Sequence, residues 1–366
     1  MLRLKLKFNE SHVDETAKNK DVALKGCIFW NITNKCNNRC FYCFSSSGNM
    51  KNKELSTKEA LNFIKEAADY GVPRFVISGG EPFIRKDIWT LLKEMRNYNL
   101  QIKIASNCTL LNKEKINKLD KMGVMSIQTP LDTLDRNLYA KIKNTNPKQF
   151  DKVIKNINLI NQTNIHNIVS CVLTKVNADG PSQLMKFCHD KNIDTLSIFQ
   201  PIPTGCCSLE KLFSIPEYLV KMKEIIDEFI SYDKKWLIDI EGPTFESYDW
   251  LKRYSKYIRV NFAGCKAGRR ICAISADGNL IPCPCMDLPV FYEGNIRERS
   301  LKDIWENGFK LFREPPRGCE QCKKYNSCMG GCRILAYGYT HKTNGMDPTC
   351  FKLNQDTSKK LEKINV

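Results

Sequence analysis

The chain has 366 residues, room for about two domains and a sizeable core. No apolar run approaches a membrane span, and the N-terminus Met1-Leu2-Arg3-Leu4-Lys5-Leu6-Lys7 alternates charge with leucine, which is not a signal peptide. Eighteen cysteines far exceed ordinary usage, and because disulfide scaffolds are usually short, these thiols are expected as metal ligands in a reducing cytoplasm. The net charge of +17 invites a nucleic-acid reading. The lysines, however, are spread through every predicted helix instead of forming one stripe, so nucleic acid is not the expected partner. Attraction of an acidic substrate stays compatible with this charge.

Residues 1–26 read as a short arm or edge strand. The first clear strand is Cys27-Ile28-Phe29-Trp30-Asn31-Ile32-Thr33, and it runs into Cys36-Asn37-Asn38-Arg39-Cys40-Phe41-Tyr42-Cys43. Three thiols at i, i+4 and i+7 can wrap one metal cluster from a single loop. Four thiolates normally complete an iron–sulfur cube, so three leave one iron open. Zinc sites usually use CxxC pairs and four ligands, and no partner pair lies nearby.

Beyond the flexible connection Ser45-Ser46-Ser47-Gly48-Asn49, the segment Ser56-Thr57-Lys58-Glu59 reads as a capping box. Its helix has an apolar stripe of Ala60, Leu61, Ile64, Ala67 and Ala68. Strand and helix patterns then alternate. Strands are expected at Arg74–Ser78, Gln101–Ser106, Val124–Thr129, Ile168–Thr174 and Thr195–Gln200. Helices are expected at Ile88–Tyr98, Glu114–Met122, Phe150–Ile160 and Ser182–Asp190. Six βα repeats by about residue 200 imply a parallel sheet, closed or partly closed. Ligands of such sheets sit beyond the strand C-termini. The cysteine loop, Gly79-Gly80-Glu81-Pro82, Ser106-Asn107, Pro130-Leu131-Asp132 and Gln200-Pro201-Ile202-Pro203-Thr204-Gly205 all fall there. Ser214-Ile215-Pro216 opens an amphipathic helix to Ile230, and residues 233–260 read as an irregular, aromatic-rich linker.

The spacing CxxxCx(aromatic)C resembles the signature of the radical S-adenosylmethionine (SAM) superfamily, and Gly79-Gly80-Glu81 is similar to its GGE motif. The resemblance implies an α/β fold, a partial (β/α)6 TIM-like barrel, over residues 27–232. It also implies a [4Fe–4S] cluster on Cys36, Cys40 and Cys43, with SAM on the open iron. Hydrogen abstraction by a 5′-deoxyadenosyl radical would follow. By the same resemblance Gly79, Gly80 and Glu81 bind the SAM amino group and Tyr42 packs near the adenine. Ser106 and Asn107 face the ribose or methionine part. The glycines would let backbone approach the ligand, and Glu81 would accept hydrogen bonds from the ammonium. Many relatives have Ser-Leu-Asp where this chain has Pro130-Leu131-Asp132. Proline offers neither hydroxyl nor N–H, so Gln128 is the expected substitute if it points inward.

The last third holds a second cysteine field. Cys319, Cys322, Cys328 and Cys332 follow Cx2Cx5Cx3C, Cys350 comes later, and Cys265, Cys272, Gly278 and Cys283 precede them. This resembles the SPASM domain, expected here over residues 261–366. The resemblance implies two auxiliary [4Fe–4S] clusters, three in all. The first would take Cys265, Cys272, Cys283 and Cys332, with Cys285 able to replace Cys272. The second would take Cys319, Cys322, Cys328 and Cys350. A zinc-ribbon-like pair of sites is the competing reading. Asp277-Gly278 reads as a hairpin turn that needs positive φ. Cys108, Cys171 and Cys188 read as core residues, Cys206 and Cys207 as non-catalytic, and His12, His166, His189 and His341 form no constellation.

SPASM relatives most often modify peptides, so the expected activity is hydrogen abstraction from a ribosomally made peptide, giving a crosslink, a dehydrogenation or a cofactor precursor. Sulfatase-maturing relatives carry an aspartate where this chain has Pro284, which argues against that activity. Only about 26 residues precede the first barrel strand, too few for a leader-recognition domain, so a peptide substrate would need either a separate leader-binding protein or direct docking. An electron donor such as flavodoxin or ferredoxin is an expected partner. Oxidative decarboxylation of a porphyrin is the alternative enzyme reading, and a zinc- or iron-containing binding protein the non-enzymatic one.

Overall fold

The computed structural model describes residues 3–5, 26–45, 47, 53–232, 237–241, 249–250, 259–260 and 264–363. Most of the expected N-terminal arm and linker, and Ser46, Gly48 and Asn49, therefore lie outside the described residues.

Among the described residues, twelve strands form one sheet. They are β1 (Arg3–Lys5), β2 (Cys27–Asn31), β3 (Arg74–Ser78), β4 (Gln101–Ala105), β5 (Ser126–Pro130), β6 (His166–Val172), β7 (Thr195–Phe199), β8 (Leu237–Glu241), β9 (Arg259–Val260), β10 (Ile271–Ile274), β11 (Asn279–Ile281) and β12 (Gly294–Asn295). Their order is β12-β11-β10-β2-β3-β4-β5-β6-β7-β8-β1-β9. Strands β2 to β8 are mutually parallel. This is the sheet expected of a partial barrel, with one strand more than the sequence suggested. The addition is β8, which the sequence reading assigned to an irregular linker. It pairs parallel with β7 and antiparallel with β1.

The helices are α1 (Thr57–Asp69), α2 (Ile88–Asn97), α3 (Lys113–Lys121), α4 (Arg136–Lys143), α5 (Lys148–Ile160), α6 (Gly180–Asp190), α7 (Ile215–Ile230), α8 (Leu301–Asn307), α9 (Lys310–Arg313), α10 (Tyr325–Cys328), α11 (Arg333–Thr340) and α12 (Gln355–Lys363). The α1 capping box forms: the Glu59 amide donates to Ser56 Oγ at 3.3 Å, and the Ser56 amide donates to Glu59 Oε2 at 2.7 Å. Helix α1 buries Ala60, Phe63, Ile64 and Ala67. A second capping box, Ser214 with Glu217, starts α7. Among the described residues no helix is long and apolar enough to cross a membrane.

The period of two along each strand separates two environments. Ile28, Trp30, Phe75, Ile77, Ile102, Ile104 and Ile127 pack in a core shared with helix residues such as Phe63, Leu91 and Leu119. Phe29, Val76, Ser78, Ala105 and Gln128 line a cavity on the other face. A second core joins β6 and β7 to α5, α6 and α7.

The chain does not separate cleanly at the expected boundary near residue 261. Strand β10 pairs parallel with β2, and Leu301, Ile304 and Trp305 of α8 pack into the same core as Trp30 and Phe63. The β10–β11 hairpin turns at Gly278, which has φ +94°, as the Asp-Gly reading requires.

Candidate active site and cysteine centres

The cysteine loop is clamped from two sides. On one, the Gly80 amide donates to the Thr33 carbonyl at 2.7 Å and the Glu81 amide to the Lys35 carbonyl at 2.8 Å. A Cβ on Gly80 would stand 2.1 Å from the Lys35 oxygen, and one on Gly79 2.5 Å from the Thr33 oxygen. The glycines thus allow one loop to dock on the other, a role the sequence reading assigned only to ligand approach. On the opposite side, the Arg39 amide donates to the Lys143 carbonyl at 2.9 Å and the Phe41 amide to the Ile142 carbonyl at 3.2 Å. The end of α4, a helix absent from the sequence reading, therefore fixes the middle of the loop.

Cys36, Cys40 and Cys43 line one cavity of about 310 Å³. Gly79, Gly80, Tyr42, Ser106, Asn107 and Gln128 line it too, so most residues singled out in this half converge there. Gln128 does point inward, its Nε2 standing 3.5 Å from Ser170 Oγ. Ser170, Val172 and Phe199 are wall residues that sequence reasoning missed; their place at the ends of β6 and β7 was the available signal.

Glu81 departs from expectation. It is wholly buried and is not part of the cavity wall. Its carboxylate accepts from Ser106 Oγ at 2.9 Å, the Asn107 amide at 2.8 Å and the Phe83 amide at 3.2 Å. It ties the glycine turn to the end of β4 rather than presenting a charge to a ligand. Asn107 is likewise committed, donating to Asn37 Oδ1 at 2.8 Å and accepting from Thr109. Asn38 was not singled out from sequence and is the opposite case. It lines the cavity, is 3% exposed, and both polar atoms of its carboxamide are buried without a hydrogen-bond partner. A buried polar group in that state favours a polar ligand.

Behind the loop, half-buried Tyr42 joins the buried side chains of Asp132 and Lys143 in a triad. Tyr42 Oη donates to Asp132 Oδ2 at 2.5 Å, and Lys143 Nζ donates to both Tyr42 and Asp132. The Val172 amide donates to Asp132 Oδ1 at 2.8 Å. Burial pulls the Lys143 ammonium down, but Asp132 and then Cys40 hold its pKa above the ordinary value. Burial pushes the Cys40 thiol up to about 12 against the attraction of Lys143. Cys36 is also raised by burial, opposed by the Asn38 amide, which donates to its sulfur at 3.4 Å.

The second field divides into two groups. Cys319, Cys322, Cys328 and Cys350 are electrostatic neighbours, and burial followed by their mutual repulsion raises Cys319 to about 11. Cys332, although it lies between Cys328 and Cys350 in the chain, interacts instead with Cys265 and Cys283. Asp347 bridges the groups: its carboxylate accepts from the Cys332 amide at 2.6 Å, and its carbonyl accepts from the Cys350 amide at 2.9 Å. Cys272 departs from expectation. It sits opposite Ile28 on β10, in the barrel core and away from Cys265, Cys283 and Cys332. Among the described residues no three His, Cys, Asp or Glu side chains converge on one ion-sized point.

The start of helix α11 reaches the cavity. Cys332 and Leu335 line it together with Pro284 and Cys285. A Cβ on Gly338 would stand 2.8 Å from Pro203 Cγ, so α11 lies directly on the Pro-Ile-Pro-Thr-Gly segment. The Cys206 amide donates to the Cys43 carbonyl at 2.9 Å, joining that segment to the cysteine loop.

A partial barrel with three loop thiols at its mouth, capped by a second cysteine-rich unit, defines an iron–sulfur enzyme class. The radical SAM superfamily model matches residues 30–188, and an iron-sulfur cluster-binding (SPASM) domain model matches residues 265–329. The chain belongs to the radical SAM superfamily and carries a C-terminal SPASM domain, with SAM and [4Fe–4S] clusters as its cofactors. It is 26% identical to the AdoMet-dependent heme synthase of Methanosarcina barkeri, over 88% of this chain and 95% of that protein. It is 26% identical to the mycofactocin maturase MftC of Mycolicibacterium smegmatis, over 88% of this chain and 82% of that protein. Streptococcus suis SuiB, crystallised with S-adenosylmethionine, shares the fold with a TM-score of 0.72 at 22% identity, covering 90% of this chain and 77% of SuiB. SuiB has also been crystallised with its precursor peptide SuiA. The residues fit the cofactors. Burial disfavours ionisation of Cys36, Cys40, Cys319 and Cys350, which iron would reverse, and the Asn38 carboxamide offers an uncommitted donor and acceptor on the cavity wall.

Proposed function

We propose that the chain abstracts hydrogen from a ribosomally made peptide, yielding a crosslink, a dehydrogenated residue or a cofactor precursor. One observation carries the choice of substrate. Among the described residues that line the cavity, Lys143 is the sole charged side chain, and it is ion-paired with Asp132. A porphyrin would bring carboxylates to a wall with no uncommitted cation. A neutral peptide side chain meets the apolar and hydroxyl-bearing surface of Phe29, Val76, Ser170, Val172 and Phe199. The fold shared with a protein crystallised with a precursor peptide supports the same reading.

In this reading Cys36, Cys40 and Cys43 would hold the cluster that binds SAM. Gly79, Gly80, Asn38, Tyr42, Ser106 and Gln128 would surround SAM. When bound and reduced, the pair supplies a 5′-deoxyadenosyl radical that abstracts hydrogen from an unactivated C–H bond. The chain's own residues orient and shield: the two clamps fix the loop, and Leu335 of α11 contributes to the cavity wall. Cys319, Cys322, Cys328 and Cys350 would hold one auxiliary cluster, and Cys265, Cys283 and Cys332 would be three ligands of another; such clusters would serve as electron acceptors or relays. A flavodoxin or ferredoxin would deliver the reducing electron, and a separate protein would present the peptide leader.

The resemblance to a haem synthase over 95% of its length, and the net charge of +17, favour the porphyrin reading. Co-expression under anaerobic conditions with a short peptide encoded beside the gene separates the two. Mass spectrometry should show a peptide lighter by two hydrogens, dependent on Cys36, Cys40 and Cys43. An unchanged peptide, with SAM still cleaved to 5′-deoxyadenosine, would transfer the argument to the porphyrin.

A further inference from the structure

We infer that Cys285, and not Cys272, is the fourth ligand of the auxiliary cluster held by Cys265, Cys283 and Cys332. The inference rests on the reading that the SPASM domain holds two complete auxiliary clusters.

Register removes Cys272. In the parallel pairing of β10 with β2, Cys272 lies opposite Ile28 and Ile274 opposite Trp30. Residues two apart on a strand share a face, and all four side chains sit in the core formed with Phe63, Phe75 and Trp305. Cys272 has no exposure at all, and its thiol interacts with Cys27 on the neighbouring strand. To reach the cluster, the strand would have to rotate by one residue. That rotation would move Ile274 out of the core with it.

Cys285 meets the requirements Cys272 fails. Cys265, Cys283 and Cys285 pack in one group with Cys332 against it. The thiols of Cys283 and Cys285 are hydrogen-bonded to each other. The Met286 amide donates to the Cys283 carbonyl at 3.0 Å, and Asn31 Nδ2 donates to the Pro284 carbonyl at 3.2 Å. The Cys-Pro-Cys turn is thereby fixed to the end of β2, just before the first cysteine loop. Cys285 also lines the central cavity beside Cys332. The cluster would then present two of its own ligands to the substrate space.

The test uses the full-length chain with Cys36, Cys40 and Cys43 replaced by alanine, reconstituted anaerobically with iron and sulfide. This parent should hold about eight iron and eight sulfide per chain, two cubes. Cys285→Ala should lower both to about half or leave a three-iron cluster visible by electron paramagnetic resonance, whereas Cys272→Val should leave both unchanged. Cys285→Ser, which keeps an oxygen ligand, should retain iron with a shifted spectrum. Loss in Cys272→Val with retention in Cys285→Ala would overturn the assignment, as would full retention in both. If both lose iron, a Cys285→Ser spectrum identical to the parent's overturns it and a shifted one supports it. A parent without auxiliary iron would overturn the two-cluster reading together with the assignment.

Discussion

Asp132 and Lys143 form an ion pair in which neither side chain retains any exposure, and Tyr42 of the cysteine loop is hydrogen-bonded to both. The pair connects the end of β5 to the end of α4 and holds the aromatic residue between the second and third loop thiols. Removing one member of a buried pair strands the other charge, which costs about 3–5 kcal/mol. Lys143→Met should therefore destabilise the fold by about that amount in urea unfolding. The double variant Lys143→Met, Asp132→Asn should recover part of the loss. A single variant as stable as the parent would mean that the pair is not buried in solution.

Gly80 has no room for a side chain. With a Cβ 2.1 Å from the Lys35 oxygen, Gly80→Ala must push the start of the cysteine loop away from the glycine turn. Overpacking of this kind costs about 1–3 kcal/mol. The specific signature should be lower iron retention at the Cys36 loop, measured in a chain whose auxiliary cysteines are replaced by alanine. Iron equal to that of the matched parent would show that the two loops do not depend on each other.

Asn38→Leu should act in opposite directions on two measurements. Removing an unpartnered buried carboxamide should leave the ligand-free chain equally or more stable, since that group costs about 1–3 kcal/mol where it stands. SAM binding should weaken by about tenfold, the loss of one ordinary hydrogen bond. Equilibrium dialysis of SAM against reconstituted protein checks the second effect. Unchanged affinity would place Asn38 outside the cofactor's reach.

Glu81 predicts a pH dependence. Burial is the leading cause that pushes its carboxyl up to about 7, against hydrogen bonds from Asn107, Phe83 and Ser106. An unfolded glutamate titrates near about 4.3. Between those values the folded chain keeps a proton that the unfolded chain has lost. The contribution of this group is therefore complete below the unfolded pKa and is lost as pH rises through the folded one. Parent minus Glu81→Gln, measured by urea unfolding from about pH 5 to about pH 7.5, should narrow by up to about 3 kcal/mol. A constant or widening difference would contradict the raised pKa.

Much of this was legible from local pattern. Ser56 and Glu59 announced α1, and the run Arg74–Ser78 announced β3, because capping and period-two alternation are properties of neighbouring residues. The rim position of the cysteine loop followed from strand direction alone. What was not legible depended on register between distant segments. The sequence around Cys272 shows a thiol at a plausible spacing, but only pairing with Ile28 reveals the face it occupies. Glu81 reads as a ligand carboxylate until Ser106 and Asn107, about 25 residues later, arrive to hydrogen-bond it. Helix α4 lies in a short polar stretch whose start depends on Asp135, which accepts from the Asn137 and Leu138 amides at 2.8 and 2.9 Å. Strand β8 was missed because its partners, β7 and β1, lie on opposite sides of it in the sheet and far apart in the chain.

The parallel ladder between β2 and β10 joins residues 27–30 to residues 271–274. During synthesis, the first strand of the barrel must wait for more than half of the polypeptide to emerge before its outer edge is covered. Until then that edge carries unsatisfied amides and carbonyls beside the loop that will hold reactive metal, a template for pairing with another chain. The C-terminal unit is in this sense a built-in edge guard as well as a cluster carrier. A chain ending before residue 264 should associate through β2 and elute as large species in size-exclusion chromatography, even when supplied with iron and sulfide.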